Sequence, residues 1–192
     1  MFEVVFFDLD GTLYNKRGLS RRLIWAALRE GGRCLRLLAL ERKVRRALAG
    51  SKAGFEDLFE GIALRAKLPV EAVRTWYNEW YMPAMVSALK KHYTLDEKVA
   101  GKLRMFKAAG AKVAILSDYG CVREKFEALG GDPSALDALL DAPSLGGFKP
   151  CPDAFRAACA SLGADPARCA LVGDRRDTDG GCVSVGMTYI PR

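Results

Sequence analysis

The sequence has 192 residues, half of them apolar, which is enough to form a sizeable core in one domain with an insertion. No apolar run is long enough for a transmembrane helix, and the N-terminus lacks the pattern of a signal peptide, so we expect a cytoplasmic protein without a membrane span. The formal charge of +7 is unevenly distributed, because residues 16–50 carry eleven Lys or Arg against two Glu and the rest of the chain is slightly acidic. The basic character therefore belongs to one segment.

The six cysteines show none of the two-residue spacings that are typical of metal sites, and the single histidine, His92, lies in no metal-ligand pattern. Because the chain can form a large core and we expect it inside the cell, the prediction is six reduced thiols. They are Cys34, Cys121, Cys151, Cys159, Cys169 and Cys182.

The first strand is predicted over residues 4–7, where four large apolar residues are typical of a strand buried on both faces of a parallel sheet. Asp8 and Asp10 follow it, with Gly11 next, at the sheet edge where open α/β folds bind ligands. Two carboxylates this close repel each other unless a cation or a proton lies between them. The alternative is that both are ordinary turn residues, since Asp and Gly favour turns.

Residues 16–92 contain helical patterns and no strand alternation. Ser20 is a candidate N-cap for the first helix, Gly31 and Gly32 separate it from a cationic amphipathic helix over 33–48, and Pro83 is expected to end a helix that begins near Val70. Four aromatic residues of this last helix either line a pocket or form the core of the insertion (Trp76, Tyr77, Trp80 and Tyr81).

Strands and helices alternate after residue 93, with apolar strands predicted at 112–116 and 170–172 and a short one near residues 139–140. This alternation indicates right-handed βαβ units. We therefore predict a doubly wound parallel α/β sheet formed by residues 1–15 and 93–192, and a small all-helical domain formed by residues 16–92.

Polar residues follow two further strands at the same predicted edge. Ser117 and Asp118 end the second strand, and Asp174 ends the fourth with Asp177 and Asp179 close behind; Lys149 lies in a glycine-rich loop. Clustered carboxylates favour Mg²⁺, and a hydroxyl with a lysine suits a phosphoryl group.

These residues resemble the four motifs of the haloacid dehalogenase (HAD) superfamily. Asp8-Leu9-Asp10-Gly11-Thr12 matches the first motif, Ser117 after an apolar strand the second, Lys149-Pro150-Cys151-Pro152 the third, and Gly173-Asp174 with Asp179 the fourth. The helical insertion falls between the first and second motifs, where this superfamily places a helical cap.

The resemblance implies a Mg²⁺-dependent phosphohydrolase acting on a small phosphorylated metabolite. Asp8 would be the nucleophile that forms an aspartyl-phosphate, Asp10 the general acid and then the general base, and Ser117 and Lys149 would bind the phosphoryl group. The Asp8 carboxylate, the Asp10 carbonyl and Asp174 would hold the metal, with Asp179 favoured over Asp177 as a further support.

Several alternatives remain open. Asp10 argues against dehalogenation, because a halide leaves without a proton whereas an alkoxide needs one. Asp118 stands where relatives often have Asn, so its main-chain N–H is expected to be the group that binds the phosphate. Lys16 and Arg17 either steer an anionic substrate at the lip of the site or form a solvated basic face.

Two other functions also fit the sequence. A phosphomutase would use the same aspartyl-phosphate intermediate. A basic binding module on a vestigial HAD core would use the helix over residues 33–48 to dock on nucleic acid, an anionic membrane or an acidic partner.

Overall fold

The computed structural model describes residues 1–192 and has a parallel sheet at its centre. Its five strands are β1 (Val4–Phe7), β2 (Lys112–Ser117), β3 (Ala138–Asp141), β4 (Cys169–Gly173) and β5 (Thr188–Pro191). The order across the sheet is β3-β2-β1-β4-β5, and Phe7 of the central strand lies in register with Ile115 on one side and Val172 on the other. The predicted doubly wound parallel α/β sheet is confirmed.

Five helices follow β1 and contain no strand between them. They are α1 (Leu19–Glu30), α2 (Gly32–Leu48), α3 (Phe55–Ala66), α4 (Val70–Thr75) and α5 (Met82–His92), and a π-helical segment, Trp76–Tyr81, joins α4 to α5. The chain from Leu19 to His92 is therefore a helical insertion between β1 and the rest of the sheet.

Three longer helices accompany the other strands and cover the sheet: α6 (Glu97–Ala108), α7 (Val122–Ala128) and α8 (Pro152–Ser161). Alternate residues of β1 face opposite layers, so that Val5 and Phe7 belong to one apolar cluster and Val4 and Phe6 to the other. All four residues of β1 are inaccessible to solvent, as the unbroken apolar run predicted.

Two predicted helix boundaries are wrong. Pro83 does not end the fourth helix of the insertion, because a wider π-helical turn precedes it and the chain continues as α5. In that turn the hydrogen bonds span an additional residue, so a position without an N–H is accommodated. Ser20 lies inside α1 rather than capping it, and Gly18 occupies the N-cap with a left-handed φ of 82°.

After β4 the chain forms the 3₁₀ segment Asp179–Val185, with Thr178 at its N-cap. The six cysteines are unpaired. None of the helices combines the length and the apolar character that are needed to cross a bilayer.

The insertion shares its apolar core with the larger cluster of the sheet. This cluster of 35 buried residues runs from Val5 and Phe7 of β1 to Leu58 of α3 and Leu89 of α5. Trp76, Tyr77 and Tyr81 are buried within it, so these aromatic side chains mainly form the interior of the insertion. The cationic helix α2 also turns its apolar side inward, through Cys34, Leu37 and Val44.

Candidate active site

The side chains predicted from three separate motifs meet at the carboxyl edge of the sheet. Asp8 follows β1, Asp174 follows β4, and Lys149 reaches between them from the loop before α8. Thr12 ties two of these loops together, because its hydroxyl donates to Asp8 Oδ2 at 2.9 Å and accepts the Asp174 N–H at 3.0 Å. The edge of the sheet thus places the first, third and fourth motifs around one point.

Lys149 is the central cation of the site and is almost completely buried. Its Nζ donates to Asp8 Oδ1 at 2.8 Å, to Asp179 Oδ1 at 2.7 Å and to the Leu116 carbonyl at 3.1 Å. Burial disfavours the ammonium form, but the charges of Asp8 and Asp179 outweigh it and raise the pKa of Lys149 far above its usual value.

The Asp8 carboxylate is correspondingly stabilised in its ionised form. Burial alone would raise its pKa, but the charge and hydrogen bond of Lys149, the Thr12 hydroxyl and the charge of Lys16 together bring the pKa of Asp8 below its usual value. A buried, ionised carboxylate held by two donors is a suitable oxygen nucleophile.

Asp179 lies in the site and Asp177 does not. Asp179 is buried, and its second oxygen accepts the Arg175 N–H at 3.2 Å, whereas Asp177 pairs with Arg175 at the surface. Burial and the nearby charge of Asp8 raise the pKa of Asp179 to about 6 despite Lys149. Gly173 makes room for this carboxylate, since a Cβ there would lie 2.4 Å from Asp179 Oδ2.

Asp10 is held by donors from three elements. Tyr14 donates to Oδ1 at 2.8 Å, Ser117 donates to Oδ2 at 3.2 Å, and Lys125 forms an ion pair with Oδ2. The Lys125 side chain is completely buried. The sequence alone does not identify Lys125, because its only indication there is a lysine in the last turn of the short helix that follows the second motif.

Asp118 fastens the neighbouring loop. Its Oδ1 accepts the Lys149 N–H at 2.9 Å and its carbonyl accepts a hydrogen bond from Arg45, while burial raises the pKa of its carboxyl group. Ser117 accepts the Tyr119 N–H at 3.0 Å, which orients its hydroxyl toward Asp10. The Asp118 carboxylate is therefore engaged with the main chain of the lysine loop.

Lys16 and Arg17 have different surroundings. Lys16 Nζ lies 2.9 Å from the Asp10 carbonyl and 2.9 Å from Asp174 Oδ2, with 46% of its side chain exposed. The left-handed Gly11 leaves space for it, since a Cβ at residue 11 would lie 2.4 Å from the Lys16 Nζ. The exposed Arg17 is not among the residues that line the site cavity.

Three carboxylates of the site fit a hard divalent cation. One oxygen each of Asp8, Asp174 and Asp179 lie within 4.8 Å of one another, and all donors in the group are oxygen, as Mg²⁺ prefers. The ammonium group of Lys16 already binds Asp174 and the Asp10 carbonyl. It therefore uses two of the oxygen groups that would bind a metal cation.

A cavity of about 780 Å³ extends from these carboxylates into the helical insertion. Arg45 of α2 links the two parts, because it pairs with the buried Glu41 at 2.5 Å and also donates to the Asp118 carbonyl. Its guanidinium group lies 4.0 Å from the centre of the Tyr119 ring. The spacing of Glu41 and Arg45, four residues apart on a helix, was the available sequence signal for this pair.

Comparison with known proteins identifies one family whose model covers most of the chain. The model of the haloacid dehalogenase-like hydrolases matches residues 2–180. No protein of curated function matches the sequence significantly. Among solved structures, CbbY from Rhodobacter sphaeroides in complex with phosphate has a TM-score of 0.69 and 24% identity, covering 100% of this chain and 86% of its own.

Two further solved structures have the same fold. A predicted phosphoglycolate phosphatase from Haemophilus somnus 129PT has a TM-score of 0.67 and 22% identity, covering 99% of this chain and 84% of its own. The L-2-haloacid dehalogenase from Xanthobacter autotrophicus has a TM-score of 0.63 and 22% identity. The alignment covers 98% of this chain and 76% of the dehalogenase. With the family model spanning nearly the whole sequence, the chain belongs to the haloacid dehalogenase-like hydrolases.

Proposed function

We propose that this hydrolase cleaves phosphate monoesters through an aspartyl-phosphate on Asp8. The observation that supports it best is the ionised Asp8 carboxylate, held by Lys149 and Thr12 beside a second acid, Asp10, at the edge of the sheet. In the first step an Asp8 oxygen bonds to phosphorus, the ester P–O bond breaks, and the leaving oxygen takes a proton from Asp10. In the second step Asp10 takes a proton from water, which attacks phosphorus and releases Asp8.

The remaining side chains of the site bind the phosphoryl group and orient Asp10. Lys149 neutralises charge on the phosphoryl oxygens, and Ser117 supplies a hydroxyl donor beside Asp10. Lys125 and Tyr14 fix the orientation of Asp10, which must face both the leaving group and the attacking water. Asp8, Asp174, Asp179 and the Asp10 carbonyl would hold Mg²⁺, which when bound supplies positive charge to the transferring group.

The second acid at position 10 favours a phosphate ester over an alkyl halide. An alkoxide leaving group needs a proton in the transition state, whereas a halide ion does not. The structural neighbours include both phosphatases and dehalogenases at low identity, so their likeness supports the fold alone. The choice between a phosphate ester and an alkyl halide rests on the side chains of the site.

The helical insertion fits the role of a cap over the site. Helices α1, α2 and α5 supply walls of the cavity that begins at Asp8 and Asp10. A cap of this kind excludes water from the first step and contacts the alcohol part of the substrate. We accordingly assign residues 1–15 and 93–192 to the catalytic core domain and residues 16–92 to the cap.

The proposal is tested with a panel of phosphate monoesters assayed for release of inorganic phosphate with and without Mg²⁺. We expect Mg²⁺-dependent turnover that falls below about 1% in Asp8→Asn, since no other group replaces the nucleophile. Asp177→Asn is the matched control, because Asp177 lies in the same part of the chain as Asp174 but pairs with Arg175 at the surface. Turnover by Asp8→Asn above that level, with circular dichroism unchanged, would contradict the assigned nucleophile.

A further inference from the structure

We propose that the alcohol part of the substrate is an aliphatic chain, so that the ester is an amphiphilic alkyl phosphate. This inference rests on the proposed phosphatase function and adds the substrate class. Its basis is the cavity of about 780 Å³, which has the size of a pocket for a drug-sized ligand and joins the catalytic carboxylates to an apolar wall.

The apolar wall consists of aliphatic side chains from three helices of the insertion. Helix α1 presents residues 19, 23 and 24, α2 presents residues 35 and 38, and α5 presents residue 85. These residues are Leu19, Leu23, Ile24, Leu35, Leu38 and Met85. Such a surface gains free energy from burying methylene groups and offers nothing to hydroxyl groups.

The polar side chains of the insertion that line the cavity are mostly bonded to one another. Glu41 pairs with Arg45 and accepts from the Tyr81 hydroxyl at 3.4 Å, and the Ser20 hydroxyl accepts from Arg42 at 2.7 Å. A sugar or nucleoside packed against the aliphatic wall would leave the hydroxyl groups that face this wall without partners, which is costly. The arrangement therefore disfavours a polyhydroxylated alcohol and favours a hydrocarbon.

Positive charge on the same cavity suits the anionic end of such a molecule. Arg42 and Arg46 lie four residues apart on α2, both line the cavity, and neither forms a salt bridge with a carboxylate. Together with Lys16 they attract an anionic ester toward the catalytic carboxylates. An anion with an aliphatic tail satisfies both the charge and the apolar wall.

The apolar surface continues out of the cavity along α1. Ile24 lines the cavity and is 37% exposed, and Leu28, four residues further along the same face of the helix, is 47% exposed. An alkyl chain longer than the cavity would thus contact further apolar surface along this helix. This is consistent with an aliphatic substrate and gives no advantage to a compact polar one.

The test is a series of n-alkyl phosphates from ethyl to decyl, each assayed below its critical micelle concentration. We expect kcat/KM to rise about three- to four-fold for each added CH₂ that enters the cavity. A sugar phosphate and an activated aryl phosphate are assayed alongside. Equal kcat/KM along the alkyl series, or a preference for the sugar phosphate, would overturn the aliphatic assignment and leave the phosphatase proposal standing, whereas no turnover of any ester would reject both.

Substitutions in the apolar wall test whether the alkyl chain of the substrate binds there. Ile24→Asp and Leu38→Asp should each flatten the dependence of kcat/KM on chain length, because a carboxylate is placed where the hydrocarbon lies. Leu64→Asp on α3 is the matched control, since Leu64 is 79% exposed and does not line the cavity, and its dependence should equal that of the native protein. The slope compares substrates within one variant, so a reduced folded fraction cannot imitate the effect. Unchanged slopes in both wall variants would overturn the inference.

Discussion

Asp10 shows most directly how neighbouring side chains prepare a residue for its proposed role. Three donors from separate elements converge on its carboxylate, namely Tyr14, Ser117 and Lys125. These contacts fix the position of the carboxylate. How much its proposed proton transfer contributes to the rate depends on the leaving group of the substrate. The consequence is measurable, because a general acid matters only where the leaving group needs a proton.

Asp10→Asn should therefore slow esters of unactivated alcohols by about 10²- to 10⁴-fold and affect activated aryl phosphates much less. The measurement is kcat/KM against the pKa of the leaving alcohol, in which the variant should show the steeper dependence. Equal losses for both kinds of ester would remove Asp10 from the acid role. Asn keeps the size of the side chain, so a general loss of folding is checked by circular dichroism.

Lys16 leads to a prediction about cation binding. Its ammonium contacts the Asp10 carbonyl and Asp174, two of the oxygen ligands proposed for Mg²⁺. A divalent cation must displace it, so Lys16→Met should bind Mn²⁺ or Mg²⁺ about five-fold more tightly, as expected from a half-exposed ion pair of up to about 1 kcal/mol.

The affinity is measured by titration calorimetry or, for Mn²⁺, by electron paramagnetic resonance, in the absence of substrate. Lys52→Met is the control, because Lys52 forms its ion pair with Asp153 outside the site. A variant of Lys16 that binds the cation more weakly would show that the lysine supports the site instead of competing for it.

Motif residues could be predicted from the sequence and their buried partners could not. Asp8, Asp174 and Lys149 meet because parallel strands place their carboxyl ends on one edge, a rule that needs no coordinates. The contact of Lys125 with Asp10 depends on the exact rotation of α7, and that of Lys16 on a tight turn at Gly11. The rotation leaves no pattern in the sequence, and the glycine that favours the turn does not show that Lys16 reaches into it.

At the scale of elements, α2 joins the insertion to the catalytic edge through a buried ion pair. Glu41 and Arg45 are both buried, and Arg45 also donates to the Asp118 carbonyl in the loop that bonds to the Lys149 main chain. Burial opposes the charge of Arg45, but Glu41 outweighs it and raises the pKa of Arg45 well above its usual value. Because arginine is effectively always protonated in proteins, the guanidinium group stays charged when Glu41 is removed.

Glu41→Gln should lower the free energy of unfolding by about 3–5 kcal/mol, because it leaves the buried charge of Arg45 without an opposite charge. The double variant Glu41→Leu with Arg45→Met should recover most of that loss, since no buried charge remains. Both are measured by urea denaturation.

Arg74→Met provides the comparison with an exposed ion pair. Arg74 pairs with Glu56 on the surface of the insertion, where solvent screens the charges, so its loss should cost much less than the loss of Glu41. A double variant at Glu41 and Arg45 that is no more stable than Glu41→Gln would contradict this account of the pair.

Elements with strong apolar patterns were predicted well, and irregular ones were not. Apolar runs predict the strands at 4–7 and 112–116, because a strand covered on both faces has no polar side, and the observed strands are Val4–Phe7 and Lys112–Ser117. Pro83 predicts the end of a helix, whereas the π-helical turn before it accommodates the missing N–H. Such a turn depends on the packing of Trp76 and Tyr81 in the core, which local propensity does not describe.

At the scale of the whole molecule, the insertion and the α/β part are distinct in topology and continuous in packing. The sequence predicts boundaries between them at residues 15/16 and 92/93, where the pattern changes from strand to helix and back. One apolar cluster nevertheless includes Leu58 of α3 together with Val113 and Val172 of the sheet. Which side chains cross such a boundary follows from three-dimensional packing, so the shared core could not be predicted.

This continuity predicts that both parts unfold together. All three tryptophans, Trp25, Trp76 and Trp80, lie in the insertion, so tryptophan fluorescence reports its unfolding, while far-ultraviolet circular dichroism reports the whole chain. With a shared core we expect the two signals to give the same urea midpoint, as in a two-state transition.

A core substitution within the insertion extends the same test. Leu58 is completely buried, so Leu58→Ala should lower the free energy of unfolding by about 2–5 kcal/mol. It should also move both signals by the same amount, because loss of the α3 contacts removes support from the sheet as well. If fluorescence moved to lower urea while circular dichroism kept a second transition at the native midpoint, the insertion would be an independently folding unit. The proposed cap would then close as a separate body, and its motion would be sought at the two connections to the core instead of within the shared apolar cluster.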